Sequence, residues 1–99
     1  MAVRYYYTYI TTNPVKTTFY TGVTNNLVRR LSEHKANRGQ FKTFAGHYYC
    51  YNLVYYESYT SIKIAIEREK EIKDLSRDKK MELIKTKNPK MFFIDFKDE

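Results

Sequence analysis

The residues of this chain whose types and spacing can do chemistry are a glutamate inside an apolar helix stripe, two tyrosines, and an arginine near a helix start. Glu69 falls on the stripe Ile62, Ala65, Ile66 and Ile72, seven after the first and three before the last. A carboxylate there costs free energy unless it is paired or binds a cation. Two readings follow: an ion pair with a cation of the basic N-terminal half, or a ligand for a hard divalent ion. Tyr9 and Tyr20 are either core rings or phenols that orient or deprotonate water. Arg30 is suited to charge developing on a phosphoryl group. Arg29 reads as a solvated or phosphate-contacting cation. His34 either orients water or phosphate or is a surface residue of its helix. His47 and Cys50 lack partners at metal-binding spacing, and no P-loop or nucleophile-elbow motif occurs.

The elements that must position these groups follow from pattern. Residues 4–12 and 17–24 are tyrosine- and threonine-rich runs flanking Asn13-Pro14, which predicts an antiparallel hairpin. A turn centred between Pro14 and Val15 sets Tyr9 opposite Tyr20 and Tyr7 opposite Gly22, with both tyrosines on one face. Thr24 or Asn25 is expected to cap a helix to about Asn37, burying Leu27, Val28 and Leu31. Residues 38–47 read as a loop and 48–56 as a third strand. Thr60 or Ser61 caps a helix to about Leu75, and Ser76 caps another through Lys87, ended by Asn88-Pro89. The run Met91 to Phe96 is expected to pack back as a tail.

Composition narrows the setting. The chain has 99 residues, with 42% hydrophobic and 29% charged, which suits one globular domain over 1–99 rather than a disordered chain. A single cysteine excludes an internal disulfide and favours a reducing compartment. With no secretory signal or membrane-length apolar run, a cytoplasmic protein with no membrane partner is expected. The net charge is +7, and it is uneven: residues 1–49 hold seven Lys/Arg against one acid, residues 50–99 eleven against ten. A polyanion such as DNA fits the basic half, whereas a merely solubilising charge would fit a protein-interaction domain.

Taken together, Tyr7-Thr8-Tyr9, then Tyr20-Thr21-Gly22, Arg29-Arg30, Glu33-His34-Lys35, Leu53 to Glu57, Ala65 to Lys73 and Lys87-Asn88-Pro89 resemble the GIY-YIG nuclease domain. The likeness is to its small stand-alone bacterial members, over about residues 5–90. It implies an α+β fold: a three-stranded antiparallel sheet flanked by helices, in the order β-β-α-β-α-α. It also implies hydrolysis of DNA phosphodiesters with Mg²⁺ or Mn²⁺. By position, Tyr9, Tyr20, Arg30, His34 and Glu69 match catalytic residues, with Glu69 the metal ligand. Gly22, Arg29, Lys35 and Asn88 are expected at the substrate. Tyr7, Thr8 and Thr21 depart from the family's glycine and two isoleucines. With no room for a separate DNA-binding domain, the resemblance implies recognition of DNA structure, a homodimer, or an accessory DNA-binding protein. A non-catalytic nucleic-acid-binding module on the same fold is the alternative.

Overall fold

The computed structural model describes residues 3–97. Strands β1 (Tyr6–Thr12), β2 (Phe19–Thr24) and β3 (Asn52–Tyr59) form an antiparallel sheet in the order β2-β1-β3. Helix α1 (Leu27–Ala36) and a short α2 (Phe44–His47) lie between β2 and β3, and α3 (Ile62–Lys73) and α4 (Arg77–Lys87) follow. The expected order β-β-α-β-α-α holds for the longer elements, with α2 added where a loop was expected. Four residues are too few for helical periodicity to show in a sequence, but Thr43 caps α2 by accepting from the Gly46 N–H.

The hairpin register differs from expectation by two residues. Tyr9 pairs with Gly22, Thr11 with Tyr20 and Thr12 with Phe19. The cause lies in the turn. Asn13 Oδ1 accepts from the Thr17 and Thr18 N–H groups, and Lys16 adopts φ 60°, which moves the turn centre to between Val15 and Lys16. A two-residue slip keeps each side chain on its face. Tyr9 and Tyr20 therefore still share a face, as diagonal rather than direct neighbours.

The third strand begins later than expected. Tyr48 caps the end of α2, Tyr49 sits at φ 59°, and Cys50 N–H is bonded to Ala45 O, so the aromatic run at 48–51 is spent on closing a turn. Where β3 pairs with β1, Ile10 faces Tyr55 and Thr11 faces Leu53, which leaves Val54 as a bulge. Asn88 Nδ2 donates to the Val54 carbonyl at 2.9 Å, satisfying a group that the bulge removes from the ladder.

Each sheet face has its own core. Ile10, Phe19, Val54 and Tyr55 meet Ile72 of α3, Ile84 of α4 and Met91. On the other face Tyr9 and Leu53 meet Leu27 of α1, with Tyr7, Tyr20, Leu31, Tyr56, Ile94 and Phe96 around them. The tail packs back as expected: Ile94 N–H donates to Leu53 O at 2.7 Å, and Phe96 sits edge-on to Tyr7 and Tyr56. Tyr7 thus serves tail docking. Thr8 donates to Ala65 O at 2.7 Å, tying β1 to α3, while the buried Thr21 hydroxyl has no hydrogen-bond partner among the described residues. Caps also follow the chain. Asn26 rather than Thr24 or Asn25 starts α1, while Ser61 and Ser76 start α3 and α4. Among the described residues no helix is long and apolar enough to cross a membrane.

Candidate active site

Tyr9, Tyr20, Arg30 and His34 come together where the hairpin meets α1. Tyr9 is fully buried, and its Oη lies 2.8 Å from His34 Nε2. The Tyr20 ring stands 6.2 Å from Tyr9 and edge-on to His34 at 5.2 Å. Tyr20 keeps part of its surface in solvent. Arg30 lies within hydrogen-bonding reach of both phenols, and its Nη1 donates to Glu33 at 3.1 Å.

His34 is buried, against the surface reading. The inward stripe of α1 is Leu27, Leu31 and His34, while Val28 is 39% exposed. The 27-31-34 spacing was visible in the sequence as a helical stripe. Burial, then the neighbouring Arg30 charge, lower the His34 pKa to about 4, so the ring is neutral at pH 7. A neutral imidazole beside Tyr9 accepts from the phenol or donates to it, according to tautomer. Burial, then the Tyr20 hydroxyl, push the Tyr9 pKa up, against the opposing pull of Arg30; Glu69 adds to the rise.

The His34 shift has a measurable consequence. The unfolded chain takes up this proton near pH 6.5, the folded one only near pH 4. Stability from a neutral His34 is therefore complete above about pH 6.5 and is lost as pH falls toward 4, by roughly 3 kcal/mol. Thermal unfolding across that range should show this acid limb in the wild type, and His34→Gln should flatten it. An unchanged limb in the variant would assign it to other groups.

Gly22 makes the close packing possible. A Cβ there would lie 2.5 Å from Tyr9 Oη and 2.9 Å from Tyr20 Cε2. The glycine is needed for close approach rather than for backbone freedom. Gly22→Ala should displace both phenols, costing about 1–3 kcal/mol in chemical denaturation and breaking the Tyr9–His34 bond. An alanine variant as stable as wild type, with an unshifted His34 imidazole in NMR, would contradict this.

Glu69 lies on α3, its side chain only 16% exposed. Its ion-pair partner is Lys73 on the same helix, at 3.4 Å, and not a cation of the N-terminal half. Its link to the tyrosine cluster is electrostatic, through the Tyr9 hydroxyl. The described residues contain no group of three or more His, Cys, Asp or Glu that could hold a metal. That donor set does not suit zinc. It does suit a hard cation that takes one carboxylate and fills its shell with water and phosphate oxygens.

The remaining predicted residues stand apart. Arg29 is exposed, 3.8 Å from Glu33. Lys35 lines a recess of about 420 Å³ between α1 and the tail, which contains none of the clustered residues. Asn88 spends its amide on Val54 O and Phe92 O and accepts from Phe92 N–H.

One cluster had no counterpart in the sequence reading. Glu57 receives Arg68 Nε at 2.9 Å and Nη2 at 3.1 Å, together with the Tyr55 and Tyr59 hydroxyls. Burial raises its pKa, but the bonds from Arg68, Tyr55 and Tyr59 outweigh burial and hold it near 2. The bidentate pair fixes α3 to β3 one residue before Glu69. Its trace in the sequence is a carboxylate flanked at i−2 and i+2 by tyrosines on one strand face.

Known proteins resemble this chain in sequence and fold. The profile of the GIY-YIG catalytic domain matches residues 5–82. A UPF0213 protein of Natronomonas pharaonis is 43% identical over 67 residues, covering 68% of this chain and 76% of that one. A UPF0213 protein of Staphylococcus aureus is 39% identical over 66 residues, covering 67% and 78%. The solution NMR structure of a UPF0213 protein from Bacillus halodurans superposes with a TM-score of 0.54 at 30% identity, covering 87% of this chain and 88% of that one. The chain belongs to the GIY-YIG catalytic-domain family, a family of nucleases, and its relatives there include small UPF0213 proteins.

Proposed function

We propose that the protein is a metal-dependent endonuclease that hydrolyses DNA phosphodiester bonds. One observation carries this: a guanidinium and a partly exposed phenol flank the Tyr9–His34 pair, with a mostly buried carboxylate, Glu69, within electrostatic reach of Tyr9. Such a set has little use in a core and suits a phosphate that gains charge. Glu69 would hold Mg²⁺ or Mn²⁺, which would supply Lewis-acid stabilisation of that charge and make water a stronger acid. Lys73 is half exposed, so it can leave the carboxylate at little cost.

The protein groups divide the remaining work. Arg30 binds a non-bridging oxygen and offsets charge as phosphorus becomes five-coordinate. Tyr20, the phenol with access to solvent, orients the attacking water and takes its proton once the phenol has passed its own proton to solvent. Tyr9 is buried and stays protonated, so it holds Tyr20, Arg30 and His34 in place and does not touch the substrate. His34 acts through Tyr9. One site cuts one strand per encounter, so a double-strand break requires a second copy or rebinding.

Affinity rests on the basic N-terminal half and falls steeply with salt. Such contacts carry little base information, which favours selection of a DNA structure such as a branch, flap or nick. Repair or recombination is the fitting context. The second reading, a binding module without catalysis, draws on the Lys73 pair already occupying Glu69. Incubation with plasmid and branched DNA, with Mg²⁺ or with chelator, separates them. Mg²⁺-dependent nicking supports the nuclease, and binding without nicking in either condition supports the module.

A further inference from the structure

Beside Tyr20 the chain presents aromatic rings to water. Phe41 is 79% exposed, Phe44 49% and Tyr48 46%. They form a file rather than scattered residues. Phe44 stacks near Tyr20 at 6.3 Å and 27°, Tyr48 lies 4.8 Å from Phe44, and His47 links Tyr48 to Phe41 at 4.4 Å on each side.

The fold does not need these rings. Helix α2 is anchored through its small residues: Ala45 and Gly46 are buried, Gly46 O accepts from Gly39 N–H at 2.7 Å, and Ala45 O accepts from Cys50 N–H at 2.8 Å. A Cβ at Gly46 would come within 2.6 Å of Asn37 O and 2.8 Å of Gln40 O, so the helix sits hard against the end of α1. The result is a firmly held turn with its large apolar groups facing outward, an arrangement that marks a binding surface.

Charge identifies the occupant. No acidic residue occurs between Glu33 and Glu57, a stretch that carries Lys35, Arg38 and Lys42. Lys73 and Lys80 join Tyr20 and Phe44 around a recess of about 240 Å³. Rings bordered by cations match a ligand with flat π faces and a phosphate backbone. A duplex hides its base faces in the stack, whereas an unpaired strand offers them.

We propose that the file from Tyr20 through Phe44 and Tyr48 to Phe41 is a stacking platform for unpaired bases, so that the DNA strand entering the active site is single-stranded where it crosses these rings. The direction of that strand toward Tyr20 and Arg30 rests on the nuclease reading. The stacking itself does not.

The test is fluorescence polarisation in chelator, with fluorescein-labelled oligothymidine alone and annealed to oligoadenosine. The single strand should bind more tightly than the duplex. Phe41→Ala and Phe44→Ala should each weaken it about tenfold or more while changing duplex affinity less than about twofold. Phe44→Trp should retain binding and Phe44→Leu should not, because stacking needs a π face. If Phe44→Ala does not fold, Phe41→Ala carries the test, since that ring is almost wholly in solvent. Equal affinity for single strand and duplex, unchanged binding in the alanine variants, or wild-type single-strand binding by the leucine variant would overturn the proposal. A protein that stacks oligothymidine but cuts nothing in Mg²⁺ refutes the nuclease reading alone. One that cuts DNA while both alanine variants bind like wild type refutes the platform alone.

Discussion

Arg30→Ala should lower single-turnover DNA cleavage by about 10²–10³-fold while weakening DNA binding by less than about tenfold. The asymmetry follows from where the guanidinium sits. Its side chain is 37% exposed, with Glu33 on one flank and the Tyr9 and Tyr20 hydroxyls on the other. Burial alone would lower its pKa, but the bond to Glu33 and then Tyr9 outweigh that and raise it, so the charge is permanent. A fixed cation beside a phosphate helps most when charge on the phosphate is largest, at the five-coordinate stage. Arg30→Lys should recover little of the rate. An ammonium keeps the charge but cannot span the phenols and a phosphate oxygen with a planar fork. A lysine variant near wild-type rate would reduce the role to bulk charge.

Glu69→Gln should abolish cleavage, by at least about 10³-fold, and leave the fold intact. Glutamine matches the shape of glutamate, and the partner lost is a half-exposed lysine, so stability should change by under about 1 kcal/mol. The charge is what goes, and with it the one mostly buried carboxylate placed to act on Tyr9. A readout independent of DNA is available. Mn²⁺ should broaden the NMR resonances of α3 around Glu69 in the wild type, and this effect should vanish in Glu69→Gln. Broadening that persists unchanged would place the cation elsewhere.

How much of this was legible in the sequence depends on what each residue type reveals. Glu69 stood out because a carboxylate breaks an apolar stripe, and Gly22 because the family pattern marks it. The face shared by Tyr9 and Tyr20 was readable from alternation, but the register was not. It depends on Asn13 folding its side chain onto the Thr17 and Thr18 amides and on Lys16 taking a left-handed conformation. Neither leaves a periodic trace.

His34 was open to two readings: it completes the 27-31-34 stripe, yet histidine is found both buried and exposed. The Glu57–Arg68 pair joins a strand to a helix eleven residues on, and only the tertiary fold shows which of several cations Glu57 meets. The aromatic file was hidden differently. Phe41 and Phe44 fell in an expected loop and Tyr48 in an expected strand, and what sets those rings side by side on the outside is that Ala45 and Gly46 fill the inward side of a four-residue helix.

The central claim is that Arg30 and Glu69 serve one hydrolytic event. The most direct test is a double-variant cycle on single-turnover cleavage of an end-labelled DNA in Mg²⁺. Groups acting as a unit are strongly non-additive, so Arg30→Ala combined with Glu69→Gln should cleave no more slowly than the worse single variant. Losses that multiply would show two independent roles, and a wild type that leaves the DNA uncut in Mg²⁺ would contradict the account at its root.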